Sequence, residues 1–270
     1  MSVKGKRIVL KFGSGILTSP QGNALDKKQF ARLASEISSL VEAGHSCLVV
    51  SSGAVAAGLD SLGFKERPSD LASRQACAAV GQSKLMRMYQ EMFGKHDLSV
   101  AQLLLTHGDI DSRLRSANAK STLNRLLNAG NVVPIINEND SVAVEELKFG
   151  DNDRLSAEVA MLAEADLLII LTSVDGLLDA EGNVVPEVRD LQAVNGLVRN
   201  EKGRLSVGGM VTKLEAVNLA VQSGIPTVIA SGRRPAQITQ IVEGGHVGTR
   251  FIVGKAKRTG QARNSANKAA

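Results

Sequence analysis

The side chains able to do chemistry gather in a few short segments. Lys11-Phe12-Gly13-Ser14-Gly15 sets a cation at the tip of an apolar run, beside glycines whose bare backbone lets N–H groups approach an anion. Ser51-Ser52-Gly53-Ala54 repeats the small, glycine-bearing corner after a second apolar run. Asn137-Glu138-Asn139-Asp140 follows a third, and Gly150-Asp151-Asn152-Asp153 comes soon after, at a helix start. Asp and Asn at such places also serve as helix caps. Two clusters flanking one short excursion offer more: partners for an amine and for hydroxyl-like groups, and carboxylates able to organise a cation or a lysine. Thr172-Ser173 ends another run ahead of Asp175-Gly176. Val207-Gly208-Gly209-Met210-Val211-Thr212-Lys213 is a second glycine-rich cradle with a lysine one turn inside a helix. Two lysines, two anion cradles and a set of carboxylates favour phosphoryl transfer.

Other chemistries are poorly supplied. No G-x-x-x-x-G-K-[ST] and no complete G-x-G-x-x-G occurs, since Thr18 stands where the third glycine would follow Gly13 and Gly15. Histidines 45, 96, 107 and 246 lack zinc spacing, and there is no G-x-S-x-G elbow. Cys47 falls mid-strand and Cys77 among alanines, which reads as core.

These segments need a scaffold that brings strand ends together. β-Branched runs at 7–12, 46–51, 99–105, 132–136, 167–171 and 226–230 alternate with helical patterns from Asp26 to Gly44 and at 68–93, 114–129, 153–165 and 210–223. Such alternation predicts an α/β fold, a three-layer αβα sandwich with a mostly parallel central sheet and right-handed crossovers. Ligands of such sheets bind beyond the carboxyl ends of the strands, where the segments above fall. Segments 139–150 and 173–188 break the alternation, the second reading as a hairpin excursion. Leu85, Met88, Tyr89 and Met92 at helical spacing read as a core stripe.

With 270 residues, 43% hydrophobic and 22% charged, the chain can bury a large core, which excludes disorder, collagen and a coiled-coil rod. No apolar run reaches the ~18–20 residues of a membrane helix, no signal core follows the N-terminus, and two cysteines fit a reduced cytoplasmic protein. The net charge of +5 is local: Lys255, Lys257, Arg258, Arg263 and Lys268 lie in the last 16 residues, leaving 27 basic against 27 acidic residues elsewhere. With no Trp and one Tyr for base stacking, the charge points to a solvated, disordered tail and away from nucleic acid.

In this order the motifs resemble the amino-acid kinase superfamily (carbamate kinase-like fold), and the Ser-Gly-Ala, Asn-Glu-Asn-Asp and Gly-Asp-Asn-Asp set resembles its glutamate 5-kinase family over about residues 4–254. The resemblance implies ATP-dependent phosphorylation of the γ-carboxylate of L-glutamate to L-glutamyl 5-phosphate, the first step of proline biosynthesis. It implies that Lys11 and Lys213 contact ATP phosphates and that Asp153 holds those lysines. Ser52, Gly53, Ala54, Asp140 and Asn152 would bind glutamate, with Asn137 and Asp151 nearby. Gly13, Ser14, Thr172, Ser173 and the run Val207, Gly208, Gly209, Met210, Val211, Thr212 and Lys213 would form the nucleotide site. Mg²⁺ would ride on the ATP phosphates, with no bound prosthetic group and no protein metal site. Also implied are self-association as a homo-oligomer, inhibition by proline, and a glutamyl-phosphate reductase as partner.

The organisation that follows is a catalytic domain over 1–254, its N-terminal half for glutamate and its C-terminal half for ATP, and a basic tail over 255–270. The PUA domain that many members append is absent from this reading. Ser173 departs from the family's usual Asp after the threonine, and Ser206-Val207 from a more usual Gly-Thr. The rival readings are N-acetylglutamate kinase, which needs room for an acylated amine, and a non-catalytic amino-acid sensor.

Overall fold

The computed structural model describes residues 5–143, 151–191 and 207–252. Along the chain run β1 (Arg7–Phe12), α1 (Ser14–Leu17), α2 (Lys27–Glu42), β2 (Ser46–Val50), α3 (Ala54–Gly58), α4 (Leu71–Gly94), β3 (Ser99–Leu105), α5 (His107–Asp111), α6 (Arg113–Leu127) and β4 (Val132–Glu138). Then follow α7 (Asp151–Leu162), β5 (Leu167–Thr172), β6 (Glu187–Val188), α8 (Val207–Gln222), β7 (Thr227–Ser231), α9 (Gln237–Val242) and β8 (Thr249–Phe251). The strands form one eight-stranded sheet in the order β3-β4-β2-β1-β5-β7-β8-β6, parallel except for the antiparallel β7–β8 pair.

β1 explains the layers. Strand residues alternate between faces, and Ile8, Leu10 and Phe12 join a core with Phe30, Leu33 and Ile37 of α2 and Leu85, Tyr89 and Met92 of α4. Val9 joins the opposite core with Leu155 and Val159 of α7 and Val217 and Ala220 of α8. Lys11 shares the parity of Val9, so the period of two turns its ammonium toward the α7–α8 layer. Sheet order adds a seam: strands from residues 7–138 lie on one side of the β1–β5 junction and strands from residues 167–251 on the other. Lys11 sits at that junction, in register with Val50 of β2 and Ile170 of β5.

The mostly parallel sandwich is as the alternation predicts, with local differences. The helix expected over 68–93 begins at Leu71, because the Asp70 side chain accepts the Ser73 N–H at 2.8 Å and caps it there. The Gly13–Gly15 turn is the start of one helical turn, α1. β6 and β8 escape a periodicity reading because two and three residues carry no period. The 173–188 excursion is a hairpin: Leu178 bridges Val184 antiparallel, and the Asp179 carboxylate accepts the backbone N–H groups of Glu181 and Asn183. Cys47 and Cys77 are free and buried, and burial pushes the Cys47 thiol up to about 12, out of nucleophilic use. Residues 144–150 and the basic tail lie outside the described residues, as do Gly150 and Ser206.

Helix α3 is held to α4 by backbone-on-backbone contact. A Cβ on Gly81 would lie 1.8 Å from the Ala54 carbonyl oxygen, and one on Gly58 1.9 Å from that of Cys77. Because α3 carries the corner after β2, this contact sets where Ser52 and Gly53 stand. We expect Gly81→Ala to cost about 1–3 kcal/mol, as overpacking does, read as a lowered urea midpoint at unchanged slope. Unchanged stability would show that α3 and α4 can separate freely.

Candidate active site

The site is built on one buried carboxylate. Asp153, 2% exposed, projects from the first turn of α7, where the helix dipole favours a negative charge. Its Oδ1 accepts a short hydrogen bond from Lys11 Nζ across the β1–β5 junction. Its Oδ2 accepts Thr212 Oγ1 at 2.9 Å and Lys213 Nζ at 3.2 Å, both from the first turns of α8. Lys213 also donates to the Gly209 carbonyl at 2.9 Å, so its ammonium folds back on the start of its own helix. Burial works to raise the Asp153 carboxyl, but the charges of Lys11 and Lys213 and the hydrogen bonds from Lys11 and Thr212 outweigh it and hold the group below the usual carboxylate value. Burial pulls Lys11 below the ordinary lysine value, against the attraction of Asp153.

Across the same cavity lies a neutral hydrogen-bond ladder. Asn152 Nδ2 donates to Ser52 Oγ and to Asn137 Oδ1, each at 3.1 Å. Asn137 Nδ2 donates to Gln82 Oε1 at 2.9 Å, and Asn137 Oδ1 also accepts the Glu138 N–H. The ladder ties β2, β4, α4 and α7 together. Its corner needs a glycine, since Gly53 has φ of +96° at the start of α3. Behind it, the Ser51 hydroxyl meets the buried Tyr89 hydroxyl at 2.8 Å. The Asn152 carbonyl oxygen is buried without a partner, an acceptor in search of a donor.

A cavity of about 1190 Å³ joins the two parts. Of the residues singled out in sequence, it is lined by Lys11, Gly13, Ser14, Ser52, Gly53, Ala54, Asn137, Asp140, Asn152, Asp153, Thr172, Ser173, Gly209, Thr212 and Lys213. Met210 packs against the α7–α8 core and Val211 is exposed, so neither is a lining residue. The side chains of Asp151 and Val207, and Gly208 beyond its helical backbone, lie outside the described residues.

Sequence reasoning missed several participants. Gln82, inside the α4 helical pattern, is the anchor of Asn137 and carries no local signal of that role. Lys65, Arg67, Arg74 and Gln75 add polar groups to the cavity wall, from the α3–α4 connection and the first turn of α4. The basic Lys65 and Arg67 pair flanking Glu66 is a composition cue that could have found the first two. Among the described residues no group of three His, Cys, Asp or Glu side chains could hold a metal ion, and the one carboxylate between the lysines is fully engaged.

Asp153→Asn removes the counter-charge from two ammonium groups. The expected cost is about 3–5 kcal/mol, as for other broken buried pairs, measured by denaturant unfolding at pH 7. A depressed carboxyl contributes stability above its unfolded value near ~4 and loses it as pH falls through the lower folded value. The gap between wild type and variant should therefore narrow in acid. A loss below about 1 kcal/mol at neutral pH would mean the lysines have relaxed away from one another.

The amino acid kinase family model matches residues 6–231. The glutamate 5-kinase of Geobacter metallireducens is 47% identical over 256 residues, covering 92% of this chain and 68% of that protein. The glutamate 5-kinase of Thermus thermophilus is 46% identical over 255 residues, with 92% and 68% covered. Among solved structures, carbamate kinase from Giardia lamblia bound to AMP-PNP superposes with a TM-score of 0.65 at 17% identity, over 93% of this chain and 99% of that one. UMP kinase from Bacillus anthracis gives a TM-score of 0.60 at 18% identity, over 93% and 97%. The two structures speak for the fold alone. The family match and the glutamate 5-kinase relatives show that the chain belongs to the amino acid kinase family, in its glutamate 5-kinase group.

Proposed function

We propose that the protein transfers the γ-phosphoryl group of Mg–ATP to the γ-carboxylate of L-glutamate, giving L-glutamyl 5-phosphate and ADP. The observation that carries this reading is Asp153 fixed between Lys11 and Lys213 in the same cavity as the Ser52–Asn152–Asn137 ladder. The relatives named glutamate 5-kinase support the same substrate, as does the cavity's polar wall, which suits a free ammonium better than an acylated one.

The chemistry asks little of the protein in proton transfer. The nucleophile is a carboxylate, ionised at neutral pH because its ordinary pKa is ~4.3. A γ-carboxylate oxygen forms a bond to Pγ, the bond from Pγ to the bridging oxygen of ADP breaks, and ADP leaves with that electron pair. No general base enters. What the step needs is two anions brought into line and the charge of the moving phosphoryl group neutralised. Lys11 and Lys213 would supply that neutralisation, and Asp153 would keep both ammonium groups aimed. On this reading Ser52, Gly53, Ala54, Asn137, Asp140 and Asn152 hold glutamate, with Asp151 adjoining. Gly13, Ser14, Thr172, Ser173 and the 207–213 turn hold the nucleotide. The division of labour follows the sheet, with glutamate on the β2–β4 side and ATP on the β5–α8 side of the β1–β5 junction.

Further elements of the proposal follow from the substrate. Proline, the cyclic relative of glutamate, would compete at the ladder. The acyl phosphate hydrolyses readily, so a glutamyl-phosphate reductase would be the consuming partner, acting with a homo-oligomer in the cytoplasm. Among the described residues no helix is long and apolar enough to cross a membrane.

The test is hydroxylamine trapping of acyl phosphate with Mg–ATP and glutamate, N-acetylglutamate or aspartate. Hydroxamate should form from glutamate; product only from N-acetylglutamate, or none with nucleotide still bound, would overturn the substrate assignment. Lys11→Ala and Lys213→Ala should each lower kcat by at least ~100-fold, the scale of losing one preorganised transition-state contact. A variant within tenfold of wild type would remove that lysine from the mechanism.

A further inference from the structure

The proposed chemistry has no use for His107, yet the fold buries it beside the helix that carries Asn152 and Asp153. It is the first residue of α5, directly after β3, and is 8% exposed. The Thr106 hydroxyl and the Asp109 carboxylate cap each other's backbone there, which fixes the corner. The His107 Nδ1 lies 2.7 Å from Glu158 Oε2, and Glu158, 7% exposed, accepts Arg154 Nε on its other oxygen at 2.8 Å. Glu138, at the end of β4 and in the cavity wall, adds its negative charge to the field at the imidazole. One buried carboxylate thus meets His107 directly and a second adds its charge, while the opposing cation, Arg154, also feels the charges of Asp111 and Glu215.

We propose that His107 is a positioning residue for glutamate: in its protonated form it ties the β3–α5 corner to α7 through Glu158 and keeps Asn152 in register with Ser52 and Asn137. Asp153 needs no such help, because Lys11, Thr212 and Lys213 already pin it. Among the described residues the Asn152 side chain is held through its Nδ2 atom, by two neutral hydrogen bonds, so a small shift at the start of α7 loosens it before the charged pairs of Asp153. The hydrogen bond to Glu158 raises the His107 pKa against the opposing effect of burial, and the charges of Glu158 and Glu138 add to the rise, while Arg154 opposes it. A raised histidine contributes its stabilisation fully below the ordinary value of ~6.5 and loses it as pH rises through the higher folded value. The tie is therefore strongest in mild acid and relaxes as pH rises through the raised His107 value. The proposal rests on the glutamate kinase reading.

Two readouts separate its failure from the failure of that reading. NMR of the substrate-free protein should show His107 titrating above ~6.5, and moving down in Glu158→Gln. Kinetics should show the KM for glutamate rising as pH passes upward through the raised His107 value, by up to ~10-fold for each unit by which bound glutamate raises that value further. His107→Gln should hold that KM at its high-pH level throughout, with the KM for ATP unchanged. A merely structural histidine would lower the melting temperature of His107→Gln yet leave its KM profile parallel to wild type, and that result would overturn the proposal. So would a His107 that titrates at or below the ordinary value. No turnover of glutamate at all would sink the kinase reading beneath it, while the NMR titration would still report whether the tie exists.

Discussion

Two ammonium groups about 4 Å apart repel by ~4 kcal/mol at an effective dielectric of ~20, and an interior that gathers Lys11 and Lys213 must answer that repulsion. Asp153 does so with both oxygens, one for each lysine, and Thr212 adds a neutral donor. The requirement reaches into the architecture. Lys11 must stand on a central strand with the parity of Val9, α7 must begin with its carboxylate at the N-terminal turn, and α8 must bring its first turns within reach. β1, α7 and α8 share one core for this reason, and the β1–β5 junction is where the sheet's two sequence halves meet.

The cavity is asymmetric in a way that suits a reaction between two anions. One wall is cationic and rigidly paired, the other a ladder of amides and a hydroxyl that can accept an ammonium and donate to carboxylates. On the proposed reading catalysis is preorganisation: the charges that would stabilise the moving phosphoryl group are in place before substrate arrives, and fixing them costs folding free energy. The unpartnered Asn152 oxygen is a small instance of that cost.

Much of this was legible in the sequence because the decisive groups sit at strand ends and helix starts, where turn chemistry marks them. Lys11 beside glycines, the acid- and amide-rich turns and the Gly-Gly-x-x-Thr-Lys run each signal a corner, and the parallel sandwich follows from the spacing between them. Gln82 was not legible: it lies within α4, and only the approach of β4 to that helix gives it Asn137 as a partner. His107 read as one of four scattered histidines, since its partner is 51 residues away and Glu158 looks like an ordinary helix-face acid. The helix expected from residue 68 starts later for a local reason, as Asp70 caps it at Leu71.

The central claim is that the paired lysines are complementary to the phosphoryl group in flight rather than to bound ADP. Isothermal titration with magnesium, ADP, fluoroaluminate and glutamate tests it, because fluoroaluminate mimics that group. Wild type should bind the complete mixture at least ~100-fold more tightly than magnesium, ADP and glutamate alone, as transition-state analogues do, and Lys213→Met should lose that gain while still binding ADP. A variant that keeps the full gain would contradict the account.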